Sequence, residues 1–270
     1  MNRIPFDEYA AIDAVNWSSL KNMEDSPLHY KHRLDSKEDT DTTGRSMGRL
    51  LHTLVLEPEN FGAHYAIYPG PVRRGADWED FKAANAGKTI LKENELTEVR
   101  AQAAAVRAHP EVAPLLHGGE PETTVLWKEP RHGIACKARL DLWHPKRAAL
   151  VDLKGTPTTD PRRFGQIAAR MGYFAQLAHY KQAVEVGMRR AVYDVLIVAV
   201  ETAAPWDVAV FKLEDEDLEV GRIYVDDYLD KLKACRESGV WPGRCPSVQR
   251  IQLPSYVFGD GDVVITMEEV

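Results

Sequence analysis

The segment Ile134–Tyr180 constrains the fold most, because it carries two strand patterns and a helix, with charges where a sheet is usually apolar. Apolar residues alternate with other residues over Ile134–Asp141, which is the period-two pattern of a half-buried strand. His144–Arg147 then has the composition of a turn, and Ala149–Lys154 returns as a second strand. The pattern therefore predicts an antiparallel hairpin followed by a helix.

Three charged side chains of this hairpin are expected to form one patch. Asp152 and Lys154 point to the same face of their strand, and Asp141 lies across the hairpin from them. Carboxylates on neighbouring strands can hold a hard divalent cation, and a lysine beside it can orient or deprotonate a water. The triplet equally suits the solvated face of a sheet, where a cross-strand ion pair contributes less than about 1 kcal/mol. The hairpin alone leaves both interpretations open.

The wider sequence resembles the PD-(D/E)xK nuclease superfamily, in its RecE-type (exonuclease VIII-like) branch. The resemblance rests on Asp141, on Asp152-Leu-Lys154 and on Gln176-x-x-x-Tyr180 of the next helix. Weaker similarities lie at Gly48–Phe61, Glu122–Trp127, Gly133–Cys136 and Trp241–Pro254. They follow the family's order and extend from about Ile4 to Tyr256.

This resemblance implies an α/β fold with a restriction-endonuclease-like core, in which helices flank a mixed β-sheet. We expect a single nuclease domain over residues 1–270. Its parts would be a mainly helical region 1–120, a catalytic sheet and crossover helix at 121–213, and a C-terminal helix and tail at 214–270.

The resemblance also implies a metal site made of His52, Asp141, Asp152 and the backbone carbonyl of Leu153. A histidine beside an apolar helix stripe is also common as a structural residue, but here Gly48-x-x-x-His52 matches the family's ligand position. We expect Mg²⁺, with Mn²⁺ possible because an imidazole shifts the preference toward it. Lys154 would position or activate the attacking water.

Further residues are expected around this centre. Gln176 and Tyr180 share a helix face at i, i+4 and would line the active site. Glu122 stands where relatives keep an acidic residue near the metals, although a glutamate that begins a strand is ordinary. Arg73 and Arg74, in a long connection, are weak candidates for contacts with the substrate phosphates.

One residue departs from the family's pattern. Gly155 follows Lys154, where the family usually has threonine. Glycine removes a hydroxyl and loosens the end of the strand. Reduced activity or a different local geometry would be the consequence.

The implied reaction is metal-dependent DNA hydrolysis, 5′ to 3′ from the ends of linear duplex, which leaves 3′ single strands for recombination. The resemblance further implies a homo-oligomeric ring around DNA, a single-strand annealing or recombinase partner, and a phage or prophage origin. Alternatives are a single-strand exonuclease or an endonuclease on the same fold, or a DNA-binding protein with weakened catalysis.

Composition limits how such a protein could hold DNA. The 270-residue chain has a formal net charge of −7, so binding would depend on local basic surface and metal instead of a global field. Candidate local sources are the pairs Arg45 and Arg49, Arg73 and Arg74, Arg162 and Arg163, and Arg189 and Arg190.

The three cysteines show no Cys-x-x-Cys spacing, which favours a reduced cytoplasm and argues against structural zinc or a four-cysteine iron–sulfur cluster. We find no apolar run of about 18 residues and no leader pattern. The expectation is a cytoplasmic protein without a membrane segment.

Periodicity predicts the remaining elements. Trp17, Leu20, Leu28 and Tyr30 are expected in the core of the N-terminal helices. Residues 35–43 and 61–89 are predicted as loops, the second with a short helix near Trp78, and residues 192–200 as a buried strand parallel to the Asp152 strand. The other predicted elements are helices at 44–57, 92–108, 160–186 and 215–238 and strands at 122–129 and 206–213, with a short apolar end at 263–265.

Overall fold

A mixed sheet organises the molecule, as the hairpin and the buried strand predict. The computed structural model describes residues 3–36 and 43–258. Its strands are β1 (Tyr65–Ile67), β2 (Thr89–Leu91), β3 (Glu120–Lys128), β4 (Ala135–His144), β5 (Ala149–Thr156), β6 (Asp194–Glu201) and β7 (Val208–Lys212). The main sheet has the order β3-β4-β5-β6-β7, and only the β5–β6 pair is parallel.

Helices cover this sheet. They are α1 (Phe6–Ala11), α2 (Trp17–Leu20), α3 (Pro27–Asp35), α4 (Thr43–Leu56), α5 (Phe61–His64), α6 (Ala76–Ala84), α7 (Glu93–Ala108), α8 (Ala113–Leu116), α9 (Pro161–Met171), α10 (Tyr173–Gln182) and α11 (Asp215–Ser238). A π-helical turn, Ala183–Met188, follows α10. Within the described ranges, no helix is both long and apolar enough to cross a bilayer.

Two apolar layers lie on opposite faces of the sheet. One face packs against α10 and α11 through residues such as Leu177 and Leu229. The other packs against α4 and α7 through residues such as Leu50 and Val99. Alternation along β5 directs Leu150 into the first layer and Val151 into the second, so α4 and α10 approach the same strand from opposite sides.

The predicted α/β class, the mixed sheet and the parallel return of residues 192–200 are confirmed. The predicted helix over 160–186 is wrong in its continuity: α9 ends at Gly172, which has φ +68° and ψ +32°, and α10 begins after it. A left-handed residue ends an α-helix because the amides that follow it can no longer bond in register to the carbonyls of the preceding turn.

Two smaller expectations are also wrong. Leu28 is 51% exposed, because it lies on the outer side of α3, whereas Trp17, Leu20 and Tyr30 are buried as predicted. The predicted 61–89 loop contains β1, which pairs in parallel with β2. Strands of three residues are too short to show a period in sequence. The apolar end at 263–265 and residues 37–42 lie outside the described residues.

Candidate active site

The site lies where strands β4 and β5 separate. Their ladder pairs Leu142 with Val151 and does not continue beyond that pair. Asp141 precedes Leu142 in β4, and its side chain, not its backbone, bonds to β5. Its Oδ2 accepts a hydrogen bond of 2.8 Å from the amide N of Leu153. The carbonyl O of Leu153 lies 3.0 Å from Nε2 of His52. The gap therefore leaves a backbone carbonyl available to side chains.

Helix α4 brings His52 to this gap. Leu50, Leu51 and Val55 are buried against the sheet, and His52 lies between them in sequence with a quarter of its side chain exposed. Its Nδ1 is 3.6 Å from Oδ1 of Asp141. Nε2 can donate to the Leu153 carbonyl, which leaves Nδ1, beside Asp141, as the nitrogen that could bind a metal.

Asp152 and Lys154 occupy the α10 side of β5. Asp152 is 1% exposed, and its Oδ2 lies 2.5 Å from Nζ of Lys154. Its Oδ1 accepts a hydrogen bond of 3.2 Å from the amide of Gln176. The ring of Tyr173 lies 5.0 Å from the same Nζ and holds the ammonium by a cation–π contact.

Tyr180 of α10 forms a hydrogen bond with Gln176, the residue that contacts Asp152. Burial raises its pKa well above the ordinary value, the carboxylates of Asp141 and Asp152 raise it further, and a hydrogen bond with Gln176 opposes them. The phenol therefore stays neutral at physiological pH. The order of contacts is Tyr180, Gln176, Asp152, Lys154.

Glu122 lies on the other side of Asp141, in strand β3. The β3–β4 pairing on either side of this position puts it opposite Asp141, but its φ of +50° interrupts the regular ladder. A non-glycine residue in that region costs about 1–3 kcal/mol and occurs disproportionately at functional sites. Its carboxylate bonds to Nε of Arg139.

One donor atom each from His52, Glu122 and Asp141 lie within 4.8 Å of one another. Carboxylate oxygens with an imidazole and the nearby Leu153 carbonyl fit a hard divalent cation such as Mg²⁺ or Mn²⁺. Asp152 is not part of this donor group, and its two oxygens contact Lys154 and Gln176.

Burial and the neighbouring charges shift the pKa values of Asp141 and Lys154. Burial raises the pKa of Asp141 to about 6, and Asp152 and Glu122 add to that effect, while His52 and Lys154 oppose it. Burial by itself would lower the pKa of Lys154, but the carboxylates of Asp152 and Asp141 outweigh it and the pKa is raised. Negative charge is thus in excess, which a cation would relieve.

The remaining predicted residues lie differently. Arg73 bonds to Glu95 at 2.8 Å and to the carbonyl of Ile90 at 2.9 Å, and neither partner belongs to the site. Arg74 is exposed. A Cβ at Gly155 would lie 3.3 Å from the methyl of Thr202, and alternation puts it on the opposite face from Lys154.

Two features of the site are not predicted from the sequence. Tyr173 was not predicted to contact Lys154, although it lies three residues before Gln176 on the same helix face. The end of the β4–β5 ladder was not predicted either, because hairpin patterns give no sign of where two strands separate.

A solved structure shares this fold. A protein from Eubacterium rectale described as a "Putative exonuclease" superposes with a TM-score of 0.63 at 14% identity, over 97% of this chain and 100% of that one. A phage related exonuclease from Haemophilus somnus 129PT gives 0.36 at 13% identity, over 87% and 100%, a score that establishes no common fold. The curated proteins contain no match.

A family model matches most of the sequence. The match covers residues 16–254, which include every residue of the site. The first structural similarity supports the same fold over nearly the whole chain. The chain belongs to the family described as the PDDEXK-like domain of unknown function (DUF3799).

Proposed function

We propose that this protein is a metal-dependent DNA exonuclease that acts 5′ to 3′ on the ends of linear duplex and leaves 3′ single strands. The observation that carries the proposal is the meeting of Asp141, Asp152 and Lys154 at one strand separation, with His52 and Gln176 beside them. This is the constellation that metal-assisted phosphodiester hydrolysis needs.

His52, Asp141 and the Leu153 carbonyl would hold the cation, and Asp152 and Glu122 are the next carboxylates in reach. A bound Mg²⁺ or Mn²⁺ supplies Lewis-acid polarisation of the phosphate and acidifies a bound water.

Lys154 would orient the attacking water, because the Asp152 carboxylate and the Tyr173 ring hold its ammonium in place. Gln176 would keep Asp152 in register, and Tyr180 would act as a neutral hydrogen-bond donor at the α10 side. Excess negative charge keeps Lys154 protonated, so cation binding would also ease any proton transfer from it.

The resemblance to RecE-type nucleases is the basis for three parts of the proposal. These are the 5′-to-3′ direction, the homo-oligomeric ring and the annealing or recombinase partner. A ring would also explain how a chain of net charge −7 holds DNA, because its basic surface would lie inside the channel. The proposal places the protein with DNA in the cytoplasm.

The test uses the purified protein with Mg²⁺ or Mn²⁺ on linear duplex labelled at the 5′ or the 3′ end, beside closed circular duplex. We expect loss of linear duplex only, with the 5′ label released first. Cutting of closed circles would instead assign an endonuclease, and preference for single-stranded ends a single-strand exonuclease.

Variants connect the activity to the site. Asp152→Asn and Lys154→Ala should each lower the rate by at least about 100-fold, because Lys154 would orient the attacking water and the Asp152 carboxylate holds its ammonium in place. Lys212→Ala is the matched control, since Lys212 also pairs with an aspartate, Asp194 at 2.9 Å, but in strand β7. Binding of DNA without cleavage by the wild type under either metal would leave a DNA-binding role.

A further inference from the structure

Helix α9 carries positive charge on one face. Arg162, Arg163, Gln166 and Arg170 are all exposed. At 100° per residue these four positions fall within an arc of about 100°, so their side chains leave the helix on one side. We call these four residues the α9 arginine face.

The opposite face of α9 fixes the helix to the sheet. Phe164 is 3% exposed and stacks on Phe211 of β7 with ring centroids 4.5 Å apart. At the start of the helix, the side chain of Asp160 accepts a hydrogen bond of 2.9 Å from the amide N of Arg163. The arginine face is therefore presented by an anchored element, and a ligand would bind it without first ordering the helix.

Among the residues that the structure describes, the α9 arginines also lack carboxylate partners. In the part of the chain that the structure describes, no ion pair or side-chain hydrogen bond involves the guanidinium groups of Arg162, Arg163 or Arg170. The acidic groups near the start of α9 are occupied, since Thr159 donates to Glu201 and Asp207. By contrast, carboxylates pair with Arg3, Arg73, Arg100, Arg131, Arg139, Arg222 and Arg244.

Helix α9 leads along the chain directly into α10, which carries residues of the candidate active site. Arg170 lies three residues before Tyr173, whose ring contacts Lys154. The ring of Phe164, on the buried side of α9, lies 6.4 Å from the Tyr173 ring. Gln176, one turn further along α10, bonds to Asp152. The helix that carries the arginine face is thus followed within a few residues by the side chains that contact Lys154 and Asp152.

We propose that the α9 arginine face binds the phosphodiester backbone of DNA next to the cleavage site; this rests on the proposed nuclease function. From Arg162 to Arg170 the helix rises about 12 Å, at 1.5 Å per residue. One strand of duplex DNA carries a phosphate about every 3.4 Å of its axis, so the face matches about three phosphates. Guanidinium groups suit this role because they bond phosphate oxygens in pairs.

The test measures the salt dependence of DNA binding. The variant Arg162→Gln/Arg163→Gln/Arg170→Gln is compared with the wild type by fluorescence anisotropy of labelled duplex and single-stranded DNA, without divalent metal. Removal of three contacts should lower the slope of log K against log salt by about 2.7 for duplex, or by about 2.1 if the face holds a single strand. Affinity at 0.15 M salt should fall by about 10- to 100-fold.

Two further proteins control the experiment. Arg100→Gln/Arg222→Gln/Arg244→Gln removes the same number of charges from arginines that are paired and exposed, and it should bind DNA like the wild type. The corresponding triple lysine variant of α9 keeps the charge and should retain most of the salt slope. Melting curves check that all variants fold.

The outcomes separate the two proposals. Equal slopes in the α9 and control variants, with a wild type that cleaves DNA, would overturn the α9 assignment and leave the nuclease standing. A selective change of slope in a protein that never cleaves would support the α9 surface and overturn the nuclease. A wild type that neither binds nor cleaves DNA would overturn both.

Discussion

At the scale of single residues, Asp141 combines a structural and a chemical task. Its carboxylate takes the place of the missing β4 partner of the Leu153 amide, and it faces His52 at the same time. Because the side chain is only 14% exposed, its negative charge is destabilising in the absence of a cation. If the site holds a cation as proposed, the destabilising charge is the cost of that binding.

Asp141→Asn should therefore stabilise the metal-free protein and abolish cleavage. The amide keeps an acceptor for the Leu153 amide but carries no charge. Since the pKa of Asp141 is raised from 3.8 to about 6, removal of the charge should stabilise the fold by about 1–3 kcal/mol at pH 8. Urea unfolding in EDTA measures this, and added Mn²⁺ should raise the Tm of the wild type only. A lower stability of the variant in EDTA would contradict this account of the charge.

We expect Gln176 to act as a positioning residue, because its contacts are with Asp152 and Tyr180. Gln176→Leu should lower kcat by about 10- to 100-fold with little change of KM for DNA. The substitution should also lower the free energy of unfolding by about 1–3 kcal/mol, because an oxygen of buried Asp152 loses its hydrogen-bond donor.

Gln182→Leu is the matched control for Gln176. It removes an amide of the same helix that contacts Trp127 and Glu129. Some loss of stability without loss of kcat is expected. Equal effects of both variants on kcat would mean that α10 acts only through its fold.

The residue types of the site were predictable from sequence, because Asp141, Asp152-x-Lys154 and Gln176 lie at a recognisable spacing on two strands and the helix that follows them. What each residue contacts was not predictable. The left-handed backbone at Glu122 places its carboxylate near His52 and Asp141. No sequence pattern predicts that backbone conformation. The roles of these residues stay predictions until the variants are measured.

At the scale of elements, the break between α9 and α10 positions the site. Strands β3 to β7 could be predicted because alternation and buried apolar runs are local signals, and the helix break could not, since the apolar period continues through it. The break rests on one residue, Gly172 at φ +68°, where an added Cβ would also lie 3.3 Å from Cζ2 of Trp17.

Gly172→Ala should lower the free energy of unfolding by about 1–2 kcal/mol, because alanine is strained in the left-handed conformation. It should also lower the cleavage rate, because Tyr173 and Gln176 follow this position in α10. Gly239→Ala is the control: Gly239 has φ +72° at the end of α11, with no atom within 4 Å of an added Cβ. Both variants should lose similar stability in urea, but only the first should lose activity. Unchanged cleavage by Gly172→Ala would show that the break does not set the geometry of the site.

At the scale of the whole molecule, two buried groups give folding opposite pH dependences. His179 of α10 is fully buried beside Trp127, and burial lowers its pKa to about 4, against a smaller opposing effect of Glu129. Below pH 6.5 the unfolded chain binds a proton at this residue that the folded chain excludes, so stability is lost as the pH falls toward 4. Asp141 acts the other way, because in nearly the same range the folded chain holds the proton more tightly.

The wild type should therefore show a weak pH dependence of stability between pH 7 and 4.5, and single variants should reveal the two parts. His179→Phe removes the titration but keeps a ring against Trp127; relative to the wild type, it should gain about 2–3 kcal/mol as the pH falls over this range. Asp141→Asn should give the opposite trend, with its advantage over the wild type shrinking as the pH falls. Urea unfolding in EDTA at several pH values measures both. Parallel curves for the wild type and His179→Phe would mean that the imidazole is hydrated in the folded protein, and that the α10 layer beside the site is open to water.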